Sequence, residues 1–108
     1  MPDSISISEK DNPRSVSVSR GGALTINLNE NPTTGFNWRM QFGPEDILTL
    51  EADDFLPGSG DGVGGGGIRR FKFRATAAGR AAIHARYRRS WDPEGKFARE
   101  FALEVLVE

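Results

Sequence analysis

Leu24-Thr25-Ile26-Asn27-Leu28 and Phe36-Asn37-Trp38-Arg39-Met40-Gln41-Phe42 flank the stretch Asn31-Pro32-Thr33-Thr34-Gly35-Phe36. In the first run Leu24, Ile26 and Leu28 alternate with polar residues; in the second, Phe36, Trp38, Met40 and Phe42 do so. Period-two alternation marks a strand with one buried face, so these runs predict two half-buried strands joined by a loop. The loop is stiffer than a turn requires. Pro32 fixes its own φ and biases Asn31 toward an extended conformation. Thr33 and Thr34 are β-branched and restricted at χ1. Gly35 permits a positive φ just before the strand resumes. A loop stiffened in advance loses little entropy when something binds it. Taken alone, the stretch fits an ordinary Pro/Gly loop as well as a binding loop.

The same period extends outward. Ser4 to Ser8 and Ser15 to Ser19 alternate serine with isoleucine or valine, with a turn-like segment from Glu9 to Arg14 between them. Arg20-Gly21-Gly22 turns the chain into the Ala23 to Leu28 strand. Gly43-Pro44 ends the Phe36 to Phe42 strand, and Ile47 to Leu50 reads as a short apolar strand. Asp53 to Gly67 shows no periodicity and is dense in glycine, which predicts a long loop of the kind that is usually functional or disordered. Order resumes from Ile68 to Thr76, with Phe71, Phe73 and Ala75 on one face and Arg70, Lys72 and Arg74 on the other. After Ala77-Ala78-Gly79, the residues Ala81, Ile83, Ala85 and Tyr87 face inward, opposite Ala82, His84, Arg86 and Arg88. Arg89 to Lys96 is a loop holding Trp91, Pro93 and Gly95, and Phe97 to Val107 is the last strand. Seven or eight short strands with turns between them and no helical pattern predict an all-β, antiparallel β-sandwich. Trp38 is expected in its core, with Phe36, Phe71, Phe73 and Phe101 near it.

The 108 residues suit one domain, over 1–108, and the composition of 37% hydrophobic and 27% charged residues is that of a globular chain. No apolar run approaches the ~20 residues of a membrane helix. Met1-Pro2-Asp3-Ser4 lacks a basic segment followed by an apolar one, so the expectation is a cytoplasmic protein or a mature exported form. The absence of cysteine excludes a disulfide framework, a thiol nucleophile and a thiolate metal site. A net charge of −1 argues against a general nucleic-acid binder. The charge is uneven: residues 1–54 hold four Lys/Arg and nine Asp/Glu, whereas residues 55–108 hold ten and six.

Several motifs offer candidate chemistry. Gly60-Asp61-Gly62-Val63-Gly64-Gly65 has a GxGxxG-like spacing, but a strand pattern follows it where a phosphate cradle needs a helix. Asp53, Asp54 and Asp61 lack the spacing of a calcium loop. His84, the only histidine, lies on an outward strand position, and no nucleophile–base–acid set can be assembled around it. Arg70, Lys72, Arg74, Arg86 and Arg88 suggest a basic sheet face, against which stands cross-strand pairing with Glu100 and Glu104. Trp91 is different: it sits in a loop beside Arg89, and Trp and Arg are the types most enriched at binding hot spots.

Three of these features together resemble the chagasin-type inhibitors of papain-like cysteine proteases. The first motif of that family, Asn-Pro-Thr-Thr-Gly and an aromatic residue, matches Asn31 to Phe36 without a gap. Its glycine-rich loop is matched by Gly64, Gly65, Gly66 and Gly67, or in another register by Gly62 to Gly65. Its Arg-Pro-Trp motif is met by Arg89, Ser90 and Trp91, with serine in place of proline. The resemblance implies an immunoglobulin-like sandwich with three loops at one end that enter a protease cleft together. Asn31, Pro32, Thr33, Thr34, Gly35 and Phe36 would form the central wedge, and the glycine and Trp91 loops would grip its flanks. Inhibition would be reversible and without a covalent step, by a monomer that is not an enzyme and carries no cofactor or metal. Ser90 implies a looser third loop and a lower affinity, with Pro93 compensating in part. The alternative is an immunoglobulin-like adhesion or carbohydrate-binding module that keeps the loops for another ligand.

Overall fold

A computed structural model describes residues 4–8, 14–31, 36–57, 66–89 and 99–108. They form eight strands: β1 (Ser4–Ser8), β2 (Ser15–Val18), β3 (Ala23–Glu30), β4 (Phe36–Gly43), β5 (Leu48–Pro57), β6 (Gly67–Ala75), β7 (Gly79–Arg89) and β8 (Arg99–Val107). Two four-stranded sheets result, ordered β1-β3-β6-β5 and β2-β8-β7-β4. The long strands pair antiparallel, β3 and β5 with β6, β4 and β8 with β7. The two short N-terminal strands pair parallel, β1 with β3 and β2 with β8, so the start of the chain contributes an edge to each sheet.

The alternation of the sequence becomes the core. Leu24, Ile26 and Leu28 of β3, Leu48 of β5 and Phe71, Phe73 and Ala75 of β6 face Trp38 of β4, Ala81, Ile83, Ala85 and Tyr87 of β7 and Phe101, Leu103, Val105 and Val107 of β8; all are buried. Burial of each large apolar side chain contributes on the order of 1.5–3 kcal/mol. Phe36, Met40 and Phe42 on the edge strand β4 are partly buried against this cluster.

The structure differs from the sequence expectation in two places. The segment from Asp53 to Pro57, expected as loop, is strand: β5 continues to Pro57, with Asp53 opposite Phe71 and Phe55 opposite Arg69. A register shift between Leu50 and Ala52 breaks the period-two phase there, which is why the pattern fades while the pairing persists. The single basic face is also two faces. Arg70, Lys72 and Arg74 line the outside of the first sheet, where Arg74 Nε donates to Glu51 Oε2 at 2.9 Å. Arg86 and Arg88 line the outside of the second, because β6 and β7 belong to different sheets and each turns its apolar side to the shared core.

Among the described residues, one charged side chain is inside. Glu30, at the end of β3, is 2% exposed. Its Oε2 accepts the backbone N–H of Trp38 from the other sheet at 3.0 Å. Its Oε1 accepts Nε and Nη2 of Arg69 on β6, at 3.1 and 2.7 Å. Arg69 also reaches Asp53 Oδ1 at 3.1 Å and lies over the Phe55 ring. The Glu30 hydrogen bonds push the guanidinium above its ordinary pKa, against partial desolvation. Gly67 lies opposite both Glu30 and Pro57. A Cβ there would collide with the Leu56 carbonyl and meet Phe55 Cζ at 2.8 Å, whereas at Gly66 it would meet nothing within 4 Å.

Replacing Glu30 by alanine leaves the Trp38 N–H without its acceptor and removes two of the bonds to Arg69, which keeps Asp53. The expected loss is about 2–4 kcal/mol in urea unfolding, with Glu30→Gln losing less because an acceptor for Trp38 remains. Gly67→Ala should cost about 1–3 kcal/mol through overpacking, and Gly66→Ala should leave the unfolding midpoint nearly unchanged.

Candidate functional site

The strand ends that carry the three predicted loops converge. In the first sheet, Gly67 at the start of β6 pairs with Glu30 at the end of β3 and with Pro57 at the end of β5. In the second, Phe36 at the start of β4 pairs with Arg89 at the end of β7, and Tyr87 pairs with Arg99 at the start of β8. Bonds between the sheets hold the two sets together. The Asn31 N–H donates to the Tyr87 hydroxyl at 2.9 Å. Trp38 Nε1 and Arg99 Nη2 both donate to the Asn29 carbonyl, each at 2.8 Å. The turns around Gly21, Ile47 and Thr76 occupy the opposite end, where Gly21 N donates to Ala75 O and Thr76 N to Ile47 O.

Beneath the converging ends lies an aromatic platform. Tyr87 stacks on Phe36 at 5.4 Å between ring centroids and tilts against Trp38 at 5.1 Å. The Arg99 guanidinium sits 4.2 Å from the Tyr87 ring and 5.3 Å from that of Trp38. Such cation–π contacts strengthen when partly desolvated. Both flanks of the 31–36 stretch are thus tied down: Asn31 through its N–H, and Phe36 through its ring and its pairing with Arg89.

Of the residues predicted for binding, the structure brings Asn31, Phe36, Gly66, Gly67 and the backbone of Arg89 to this end. Gly67 has a structural reason to be glycine, the close approach of β5. Pro32, Thr33, Thr34, Gly35, Gly64, Gly65, Ser90 and Trp91 lie outside the described residues. Sequence reading missed the supports Glu30, Arg69, Tyr87 and Arg99. A signal for the first two was present. Continuing Leu24, Ile26, Leu28 by two places puts Glu30 inward, and continuing Ala75, Phe73, Phe71 back by two puts Arg69 inward. Opposite charges at inward positions are costly unless they meet.

The comparisons with known proteins agree with this architecture. The sequence profile of the chagasin family peptidase inhibitors matches residues 17–105. Amoebiasin-1 of Entamoeba histolytica is 32% identical over 106 residues, covering 96% of this chain and 100% of the relative. Chagasin of Trypanosoma cruzi is 33% identical over 90 residues, 79% of this chain and 81% of its own. The crystal structure of a cysteine protease inhibitor from Entamoeba histolytica superposes with a TM-score of 0.87 at 25% identity, over 97% of this chain and 96% of that one. With a profile match over most of its length and two relatives above 30% identity, this chain belongs to the chagasin family of peptidase inhibitors.

Proposed function

We propose that this protein inhibits papain-like cysteine proteases as a single domain over 1–108, by seating the loop end of the sandwich in the active-site cleft. Residues 31–36 act as the central wedge, with Thr33 and Thr34 at its tip, and the loops carrying Gly64 to Gly67 and Arg89 to Trp91 flank it. The observation that carries this reading is the convergence of the strand ends that bear all three loops, joined across the sheets by the Asn31–Tyr87 bond. Family membership supports inhibition as the activity. The chemistry supports occlusion. A wedge that blocks a protease without being cut must hold its backbone out of attack geometry. Pro32 and two β-branched residues between tethered ends favour that. Glycines let backbone approach a surface closely, and a tryptophan supplies one large desolvated anchor. Three loop tips suffice for the ~1,600 Å² that protease–inhibitor contacts typically bury.

The test is competitive inhibition of papain and of cathepsin-L-like enzymes by the folded protein. Full protease activity in the presence of micromolar inhibitor would overturn the reading. Trp91→Ala should weaken inhibition about thirty-fold, equivalent to the ~2 kcal/mol of a hot-spot truncation. Thr34→Ala should weaken it too, and both variants should keep the circular dichroism spectrum and melting temperature of the parent. Unchanged inhibition constants for both would refute the loop roles.

A further inference from the structure

On both outer faces of the sandwich bases stand beside acids, but among the described residues of the second sheet the acids come from β8 alone. On the first sheet, acids stand among the bases: Arg74 bonds Glu51, and Arg70 is paired in register with Asp54. On the second sheet the outward positions of β4 are Asn37, Arg39, Gln41 and Gly43, and those of β7 are Arg80, Ala82, His84, Arg86 and Arg88. No carboxylate stands among them. Arg39 is directly opposite Arg86, and Arg88 stands one outward position further along β7, opposite Asn37. Like charges directly opposed across a strand pair are destabilising.

Arg39, Gln41, His84, Arg86 and Arg88 together line a depression of about 140 Å³. Every one of these side chains can donate a hydrogen bond, and the three guanidinium groups offer the planar forks that suit oxyanions. The acid facing this group comes from β8. Glu100 accepts from His84 and lies 3.5 Å from Arg86 Nε. The His84 hydrogen bond, helped by Arg86, holds Glu100 below the usual carboxylate range. Glu100 therefore stays ionised and engages the β8 side of the group, while the depression lies over the β4–β7 pair. Glu104, further along β8, pairs with Arg80 at 3.7 Å.

We propose that the outer face of β4 and β7 binds a tetrahedral oxyanion, a phosphate or sulfate group, seated among Arg39, Arg86 and Arg88 with Gln41 completing the donor set and His84, engaged by Glu100, at its edge. The ligand adds a second anionic partner, beside Glu100, next to the opposed Arg39 and Arg86. The site lies on the outer face of β4 and β7; Arg88 adjoins Arg89 at the loop-bearing end, whereas Arg39 and Arg86 stand three register positions away from Arg89.

The experiment is a titration of the isotope-labelled protein followed by amide chemical shifts, using sodium sulfate, sodium phosphate and sucrose octasulfate, each against sodium chloride at equal ionic strength. The expected result is a saturable shift centred on residues 39, 41, 84, 86 and 88 that chloride does not produce. The double variant Arg39→Gln, Arg86→Gln should bind sulfate about ten-fold or more weakly, the loss expected on removing charge-assisted bonds. Its inhibition of papain should be unchanged. Similar affinity for sulfate and phosphate would assign the site to the simple oxyanion group, and a much tighter octasulfate complex would assign it to a sulfated sugar. Shifts that chloride reproduces, or a double variant that binds sulfate as the parent does, would overturn the proposal.

Discussion

A buried carboxylate at the end of β3 is the constraint on which the loop end of this molecule depends. Glu30 takes two bonds from Arg69 in its own sheet and one from the Trp38 backbone in the other. An ionised group removed from water is tolerated when such partners replace its hydration. The cost of separating them is what resists sliding of one sheet over the other at this end. Glu30 immediately precedes Asn31, so the 31–36 stretch begins one residue beyond this buried charge. On its other side Phe36 leads directly into Trp38, which Glu30 also holds.

The aromatic platform extends the same logic to the third loop. Tyr87 stands between Phe36 and Trp38, and its hydroxyl takes the Asn31 N–H. Arg99, where the chain returns from the Trp91 loop, covers that ring and bonds the Asn29 carbonyl. Asn31, just before the 32–35 segment, and Arg99, just after the 90–98 segment, are thus tied to one tyrosine. The outer faces are built on a different principle. There the side chains are solvated, individual ion pairs contribute little, and the placement of charge bears on what the surface attracts more than on stability.

Much of the fold was legible in the sequence because alternation is a local property. Leu24, Ile26 and Leu28, or Ala81, Ile83, Ala85 and Tyr87, announce a strand and its buried face with no knowledge of the partner. Legibility failed where local pattern and pairing part company. The bulge after Leu50 shifted the phase, so Asp53 to Pro57 looked structureless although β6 pairs with it. Arg70 and Arg86 share an outward position on similar strands, yet they lie on opposite sides of the molecule because the chain changes sheets between them. At the site, the stiff stretch from Asn31 to Phe36 stood out by residue type alone. Its supports stood out less: the period marks Glu30, Arg69 and Tyr87 as inward, but which groups they meet is decided by pairing between strands distant in sequence.

The sequence by itself determined the strands, the two-layer class, the lack of thiol chemistry and the stretch worth testing, because φ restriction, period-two burial and composition each act within a few residues. The tertiary structure alone decided that the loop-bearing strand ends meet, that Glu30 and Arg69 neutralise one another and that two arginines face each other on an outer sheet. Those outcomes rest on contacts between residues 39 positions apart at Glu30 and Arg69, 56 at Asn31 and Tyr87 and 70 at Asn29 and Arg99. Strand order and register set such contacts, and both follow from how the whole core packs.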